Sequence, residues 1–438
     1  MSDAGTDQGA APRDVGAALS AIGRWQPVTN AFSQIWADEA GAATPPDGPL
    51  SGIPVAVKDL FDVAGHETTG CCAAYEGRIA DTDATVVTRL REAGAVIVGK
   101  TNQHELAMGA TNLISACGPT ANPHDPERIT GGSSGGSGAA VASGCVPMAL
   151  GTDTGGSIRI PASLCGTWGL KPGHGVVPVD GVMPLAASID CPGPMTQTAA
   201  DLALLWSVMA SADHVSAPGV PPRVGLLGGY FASRLHLDER AALARTVRHL
   251  RTEGVEVVDI DGGGLIDQAA GAWVDLVCDE MAAHYPDLRA KRELLNPRTA
   301  GFIAKGMNTT DEQRTATDRT VLGVEDWFAR RLDGVDLLLA PTTPYPAPLA
   351  SEEDVEVGPG ERVDVKMGGT SIFTRPVSLS RLPALAVPSG PGPATGLPCS
   401  VQFIAPAGGE DVLIALALAL EADGLGSTSV PPVPDPWR

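Results

Sequence analysis

The chain has 438 residues, 43% of them hydrophobic and 18% charged. That balance builds a folded core and suffices for one large domain or a few ordinary ones. Asp and Glu number 51 against 30 Lys and Arg, a net charge of −21, which argues against nucleic acid or an anionic membrane as the main partner. No apolar run reaches the ~18 residues of a membrane span, and the N-terminus lacks the basic and apolar regions of a signal peptide. Eight cysteines stand at 71, 72, 117, 145, 165, 191, 278 and 399 with no C-x-x-C pair. This usage is expected of free thiols in a reducing cytoplasm.

In chain order, residues 1–17 are small and polar and read as a mobile start. A helical stretch over 15–39 follows, broken by "ATPPDGPLSG", so residues 1–50 form an N-terminal helical segment ahead of a main domain at 51–438. "IPVAVKDL" (53–60) predicts a short buried strand. "DATVVTRLREAG" (83–94) predicts a helix capped by Thr82 or Asp83 and stopped at Gly94, and "AVIVGK" a strand after it. "VPMALG" is a further strand, leading into the turn at Gly155-Gly156. "SADHVSAPGVPPR" (211–223) is the best candidate for a subdomain seam. Beyond it come a strand "RVGLLG", a helix over 238–254, strands "VEVVDI", "DGVDLLLAP", "PALAVPSG" and "CSVQFIAP", and a closing helix "EDVLIALALALEAD". Strands alternating with helices, each strand nearly continuous in apolar residues, predict an α/β sheet covered on both faces.

The stretch "GGSSGGSGAAVASG" (131–144) interrupts this rhythm. A flexible linker would be polar on both sides, whereas this segment runs into apolar residues. A phosphate loop would need the lysine of GxxxxGK or a GxGxxG spacing, and both are missing. Gly131-Gly132-Ser133-Ser134-Gly135 fits the G-x-S-x-G elbow, which needs a histidine near the end of the chain. The downstream histidines are 174, 214, 236, 249 and 284, none in the last 154 residues.

Another base is needed, and lysine is scarce: six against 24 arginines. Lys58 sits inside an apolar strand. A buried lysine loses affinity for its proton and can then act as a base; the alternative is a strand-end lysine that reaches solvent or pairs with Asp59 or Asp62. Further on, "LGTDTGGSIRIPASLCGTWGLKP" (150–172) places Ser157 just after a glycine turn. Successive backbone N–H groups on such a turn can bind an anion, although an ordinary tight turn looks the same in sequence.

"IPVAVKD", "GGSSGGS" and "GTDTGGSIRIPA" together resemble the amidase signature family of amide hydrolases. Lys58 and Ser133 are 75 residues apart, and Ser133 and Ser157 are 24 apart. "GLKPGHGVVP", "SIDCPGPMTQTAADLALL", "LLLAPTTPYPAP" and "LPALAVPSG…GLPCSVQFIAP" extend the likeness over about 50–405. The resemblance implies a single α/β domain with a mixed twisted sheet between helices. It implies Ser157 as nucleophile, Ser133 as a bridging serine after a cis peptide, and neutral Lys58 as base. The backbone N–H groups of Thr154, Gly155, Gly156 and Ser157 would form an oxyanion hole, with Ser134, Asp153 and Arg159 in support. Met108, Gly109 and Ala110 would line the acyl pocket, Met183 being a weaker candidate.

Arg381 departs from the family, which usually has Gly there. It, or Arg375 nearby, could bind a substrate carboxylate through a bidentate pair, or could serve only in a salt bridge. Neither metal nor cofactor is implied. The expected partner is a small-molecule amide, with a homodimer as a candidate assembly. The activities implied are a free-standing amidase, a hydrolase of carboxylated ureides, or the amidase-like component of a glutamine-dependent amidotransferase. A non-catalytic scaffold is disfavoured because all three triad positions are filled.

Overall fold

Apolar residues on both sides of a strand require cover on both faces. The computed structural model, which describes residues 11–211, 222–426 and 430–433, provides it. In chain order the strands are β1 (Phe32–Ile35), β2 (Pro54–Lys58), β3 (Val96–Thr101), β4 (Ala121–Asn122), β5 (Asp125–Ile129), β6 (Met148–Asp153), β7 (Trp168–Lys171), β8 (Cys191–Thr196), β9 (Arg223–Leu227), β10 (Glu256–Ile260), β11 (Leu337–Pro341), β12 (Asp354–Gly358), β13 (Glu361–Asp364), β14 (Ala384–Pro391) and β15 (Pro398–Ile404). Eleven of them make one sheet in the order β1-β3-β2-β6-β8-β7-β14-β15-β11-β9-β10, and β4–β5 and β12–β13 make two small ribbons. The sheet is mixed: β3-β2-β6 run parallel, as do β11-β9-β10, with antiparallel pairings between.

Alternation along each strand sorts the core. Val55 and Val57 of β2 and Leu385 and Val387 of β14 pack with Val86, Leu90, Leu205, Leu413 and Leu416 from helices on one face. Ala56 of β2, Val96 and Val98 of β3 and Ala149 of β6 face the other way, onto Ala139, Ala140 and Val141 of the helix Gly135–Ala142. That face is lined by small residues, so the helix can lie very close. A Cβ on Gly136 would stand 2.3 Å from the Asn102 oxygen and 2.4 Å from that of Ala31. The glycines of this segment are therefore packing residues. Lys58 is two positions beyond Ala56 and projects to the same side, toward the start of this helix.

The N-terminal expectation needs correction. One helix over 15–39 is in fact a helix Val15–Thr29, the edge strand β1, and a short helix Ala37–Ala42. Asn30 ends the first helix in the left-handed region, at φ 50°, and its side-chain amide donates to the Cys117 and Pro119 carbonyls. β1 then pairs with β3. Asp83 is not a cap: it accepts the Ala64 N–H, and the helix Thr85–Glu92 starts without a side-chain cap. The seam expected at 211–223 lies for the most part outside the described residues.

Candidate active site

Two parallel neighbouring strands and one loop bring the site together. β2 ends at Lys58, β6 ends at Asp153, and the loop before the helix Gly135–Ala142 carries Ser133. Lys58 Nζ lies 2.8 Å from Ser133 Oγ and 2.7 Å from Thr152 Oγ1. Lys58 and Ser133 are both fully buried. Burial lowers the pKa of Lys58 to about 7, against the opposing pull of Asp190 and Asp153. No carboxylate lies within ion-pair distance of it among the described residues, so the neutral amine is within reach near neutral pH. The Gly132–Ser133 peptide is cis. The Ser134 N–H donates to the Ser157 carbonyl at 3.2 Å, which sets the two serine segments side by side.

The turn that carries Ser157 is held from every side. Asp153 Oδ1 accepts the Gly156 N–H at 2.8 Å, and its two oxygens take the Arg159 guanidinium at 3.0 Å each. Arg159 also donates to Gln402, Thr374 and Ser378. The Thr154 carbonyl accepts from Trp273 Nε1 at 2.8 Å, and the Gly155 carbonyl from Thr374 Oγ1 at 2.7 Å. Because a peptide is planar and trans, fixing a carbonyl also aims the next N–H away from it. The N–H groups of Gly155 and Ser157 are left without a protein acceptor among the described residues. Gly156 differs from the expectation: its N–H is taken by Asp153. A Cβ at Gly156, where φ is 122°, would stand 2.2 Å from Thr374 Oγ1.

A cavity opens over Ser157, with about 520 Å³ of non-atom space, open solvent included. Met108, Gly109 and Ala110 line it, as do Gly155, Trp273, Phe302, His104 and three cationic residues, Arg298, Lys366 and Arg375. Its lining contains no Asp or Glu, although the chain as a whole is strongly acidic. Lys366 is paired with Glu353. His104 is kept neutral, its pKa pushed down to about 3 by burial and then by Arg298. Its Nδ1 accepts the Asn112 N–H at 3.2 Å.

Arg375 is partly buried, with its guanidinium 4.3 Å from the centre of the Trp273 ring and its Nε enclosed without a partner. Burial lowers its pKa to about 10, so it stays charged at neutral pH. Arg381, by contrast, does not line this cavity. Its guanidinium donates to Glu325 at 2.5 Å and to the Ser188 carbonyl at 3.1 Å, and it is 39% exposed. The salt-bridge alternative is the one it adopts. Met183 lines a different cavity, beside Leu60, Thr152 and Asp190.

Asp190 is a residue the sequence reading missed. Its Oδ1 accepts the Thr154 hydroxyl at 2.5 Å, and its Oδ2 accepts the Leu185 and Ala186 N–H groups at 2.8 and 3.0 Å. Burial raises its pKa to about 6. Trp273 and Arg298 were also missed. Nothing in their local sequence marks them.

A serine on a glycine turn, with a buried lysine and a second serine nearby, is an arrangement suited to a serine amide hydrolase. The comparisons agree. The amidase family model matches residues 17–414, and the chain belongs to that family. It is 36% identical over 405 residues to the AtzE component of 1-carboxybiuret hydrolase from Pseudomonas sp. (strain ADP), covering 86% of this chain and 85% of the relative. It is 36% identical over 425 residues to the A component of glutamyl-tRNA(Gln) amidotransferase from Deinococcus radiodurans, covering 87% and 86%. Among solved structures, one described as an amidase superposes with a TM-score of 0.86 at 33% identity, covering 94% of this chain and 95% of its own. An inhibitor-bound structure, described as a vestigial protein complex that reveals the evolutionary origins of an s-triazine catabolic enzyme, gives 0.85 at 33% identity and 95% of both chains. No helix among the described residues is long and apolar enough to cross a membrane.

Proposed function

We propose that the chain hydrolyses a small carboxamide to a carboxylate and ammonia or an amine through an acyl-enzyme on Ser157. The observation that carries this reading is the 2.8 Å contact between a fully buried Lys58 and Ser133, with no ion pair to keep the lysine charged. Neutral Lys58 takes the proton of Ser133, which takes that of Ser157. Ser157 Oγ attacks the amide carbon, and the oxyanion lies against the N–H groups of Gly155 and Ser157. Each such donor is typically worth ~3–4 kcal/mol of barrier. The proton returns through Ser133 to the leaving nitrogen, and water then releases the acyl group by the same relay. Asp153, Arg159, Trp273 and Thr374 hold the turn; they touch no reacting atom.

The cavity's lining supports a substrate that carries a carboxylate, taken by Arg375. A partly buried guanidinium without a carboxylate partner leaves its donors available for a bidentate pair, and the name of the AtzE relative describes a carboxylated ureide. The second reading, a chain that needs partners, is favoured by the likeness to the amidotransferase component. Ammonia release by the purified chain, scored over aliphatic, aryl, ureido and carboxylated amides and glutamine, decides between them. Release from carboxylated amides by the chain alone supports the first reading, and release only with added partner proteins supports the second. Covalent labelling by a fluorophosphonate, lost in Ser157→Ala, tests the nucleophile. Undiminished labelling of that variant refutes it.

A further inference from the structure

One donor in the cavity has no part in the proton relay. After His104 the chain doubles back: Leu106 and Ala107 are both left-handed, at φ 49° and 60°. The loop returns to set Gly109 against the His104 ring. A Cβ on Gly109 would stand 2.2 Å from both Nε2 and Cε1 of that ring. A side chain there would cover this edge of the imidazole, and glycine leaves it uncovered. His104 lines the same cavity as Ser157, among Met108, Gly109 and Ala110 of the expected acyl pocket.

Two bonds fix the residue. Its backbone N–H donates to the Ser133 carbonyl at 3.0 Å, which ties it to the relay segment. Its Nδ1 accepts the Asn112 N–H at 3.2 Å. A ring nitrogen that accepts a bond carries no hydrogen, so the neutral imidazole holds its one N–H on Nε2. Nε2 meets no protein acceptor among the described residues. The ring is 3% exposed, and burial and Arg298 keep it uncharged. An enclosed donor without a partner, on the wall of a cavity, is available to a ligand atom. The charged guanidinium of Arg375 is the stronger partner for a carboxylate, and the neutral N–H of His104 suits a neutral oxygen.

We propose that His104 is a specificity-determining residue whose Nε2–H donates to a second carbonyl oxygen in the acyl part of the substrate, beyond the carbonyl that Ser157 attacks. On the amidase reading above, on which this rests, the substrate class narrows to amides whose acyl part carries a further carbonyl, as in β-keto or ureido compounds.

Acetoacetamide and butyramide differ by one carbonyl in place of a methylene and serve as the probes. The ratio of kcat/KM for the first over the second should fall about 3–10-fold in His104→Phe, the worth of one neutral hydrogen bond. The fall should come through KM, with butyramide turnover near the wild-type level. His104→Gln, whose amide nitrogen can take the place of Nε2, should restore most of the ratio. Equal losses on both probes, or Gln behaving as Phe, would make His104 structural. Binding is read apart from turnover by NMR of Ser157→Ala carrying isotope-labelled histidine, the His104 signal being the one lost in His104→Gln. That signal should show the Nε2–H tautomer, and its proton should shift with acetoacetamide but not with butyramide. An Nδ1–H tautomer, or a proton that acetoacetamide leaves unmoved, overturns the assignment. Failure of the wild type to hydrolyse either probe would count against the amidase reading, while the signal in Ser157→Ala, which needs no turnover, still decides on His104.

Discussion

The molecule buries two kinds of cation, and the contrast between them separates structure from chemistry. Arg159 is fully buried, and Arg375 is partly buried with its Nε enclosed. Arg159 spends its donors on Asp153, Gln402, Thr374 and Ser378. Arg375 has a tryptophan face, a free Nε and a cavity. The lysines repeat the pattern on adjacent strands. Lys100 of β3 lies 3.4 Å from Asp59 and donates to Thr68 Oγ1 and the Glu67 carbonyl at 2.5 Å each, whereas Lys58 of β2 meets two hydroxyls. Desolvation acts on both lysines. Only the one without a carboxylate is free to become a base. A buried cation saturated by an anion is scaffold; one left unsatisfied beside a cavity is held for a substrate or a proton.

Breaking the contrast at Lys58 should have the largest effect. Lys58→Ala is expected to lower kcat/KM by roughly 10²–10⁴-fold, the usual worth of a general base, while leaving the thermal midpoint little changed. In the wild type the base must be neutral, so kcat/KM should rise with pH through about 7; a flat profile there would remove Lys58 from the role. Arg159→Met attacks the other kind of cation. It leaves Asp153 buried and unpaired and should cost about 3–5 kcal/mol of stability, read from denaturant unfolding. A cost near zero would erase the distinction.

Arg375→Met should raise KM for carboxylated amides by an amount equivalent to about 1.5–3 kcal/mol, and leave neutral amides and the unfolding midpoint nearly unchanged. Equal losses on both substrate types would make Arg375 structural.

Glu239 sharpens the comparison from the anionic side and has the smallest expected effect. Both its carboxyl oxygens are buried beside the Ser400 backbone and the Cys399 thiol, and burial raises its pKa from 4.5 to about 8. The folded state therefore holds this proton more tightly than the unfolded one. Its contribution to stability is complete below pH 4.5 and is lost as pH rises through about 8. Glu239→Gln should flatten that alkaline decline in a series of melting curves taken across pH.

Lys58, Ser133 and Ser157 were legible as candidates because their settings are local: a lysine at a strand end, serines among glycines, a glycine pair before a serine. Most strands were equally legible, their apolar runs bounded by turn residues. What escaped depends on residues far apart in the chain. Arg375 is defined by Trp273, and Asp190 by the Thr154 hydroxyl, contacts that no periodicity encodes. Arg381 could be read either as a carboxylate ligand or as a salt-bridge residue, and its pairing with Glu325 decides for the second. Gly156 was counted as an oxyanion donor because sequence cannot show that Asp153 turns back to take its N–H. The N-terminal helix was overextended because Asn30 stops it through bonds to a loop almost ninety residues on.

The acid-free cavity in an acidic protein has a kinetic consequence. An anionic substrate approaching from a distance meets the repulsive field of the net −21 charge. It reaches the attraction of Arg298 and Arg375 only within a screening length, about 8 Å at physiological ionic strength. Added salt should thus speed encounter with an anion while weakening its final grip. For such substrates kcat/KM should pass through a maximum as ionic strength rises, and for neutral ones it should not.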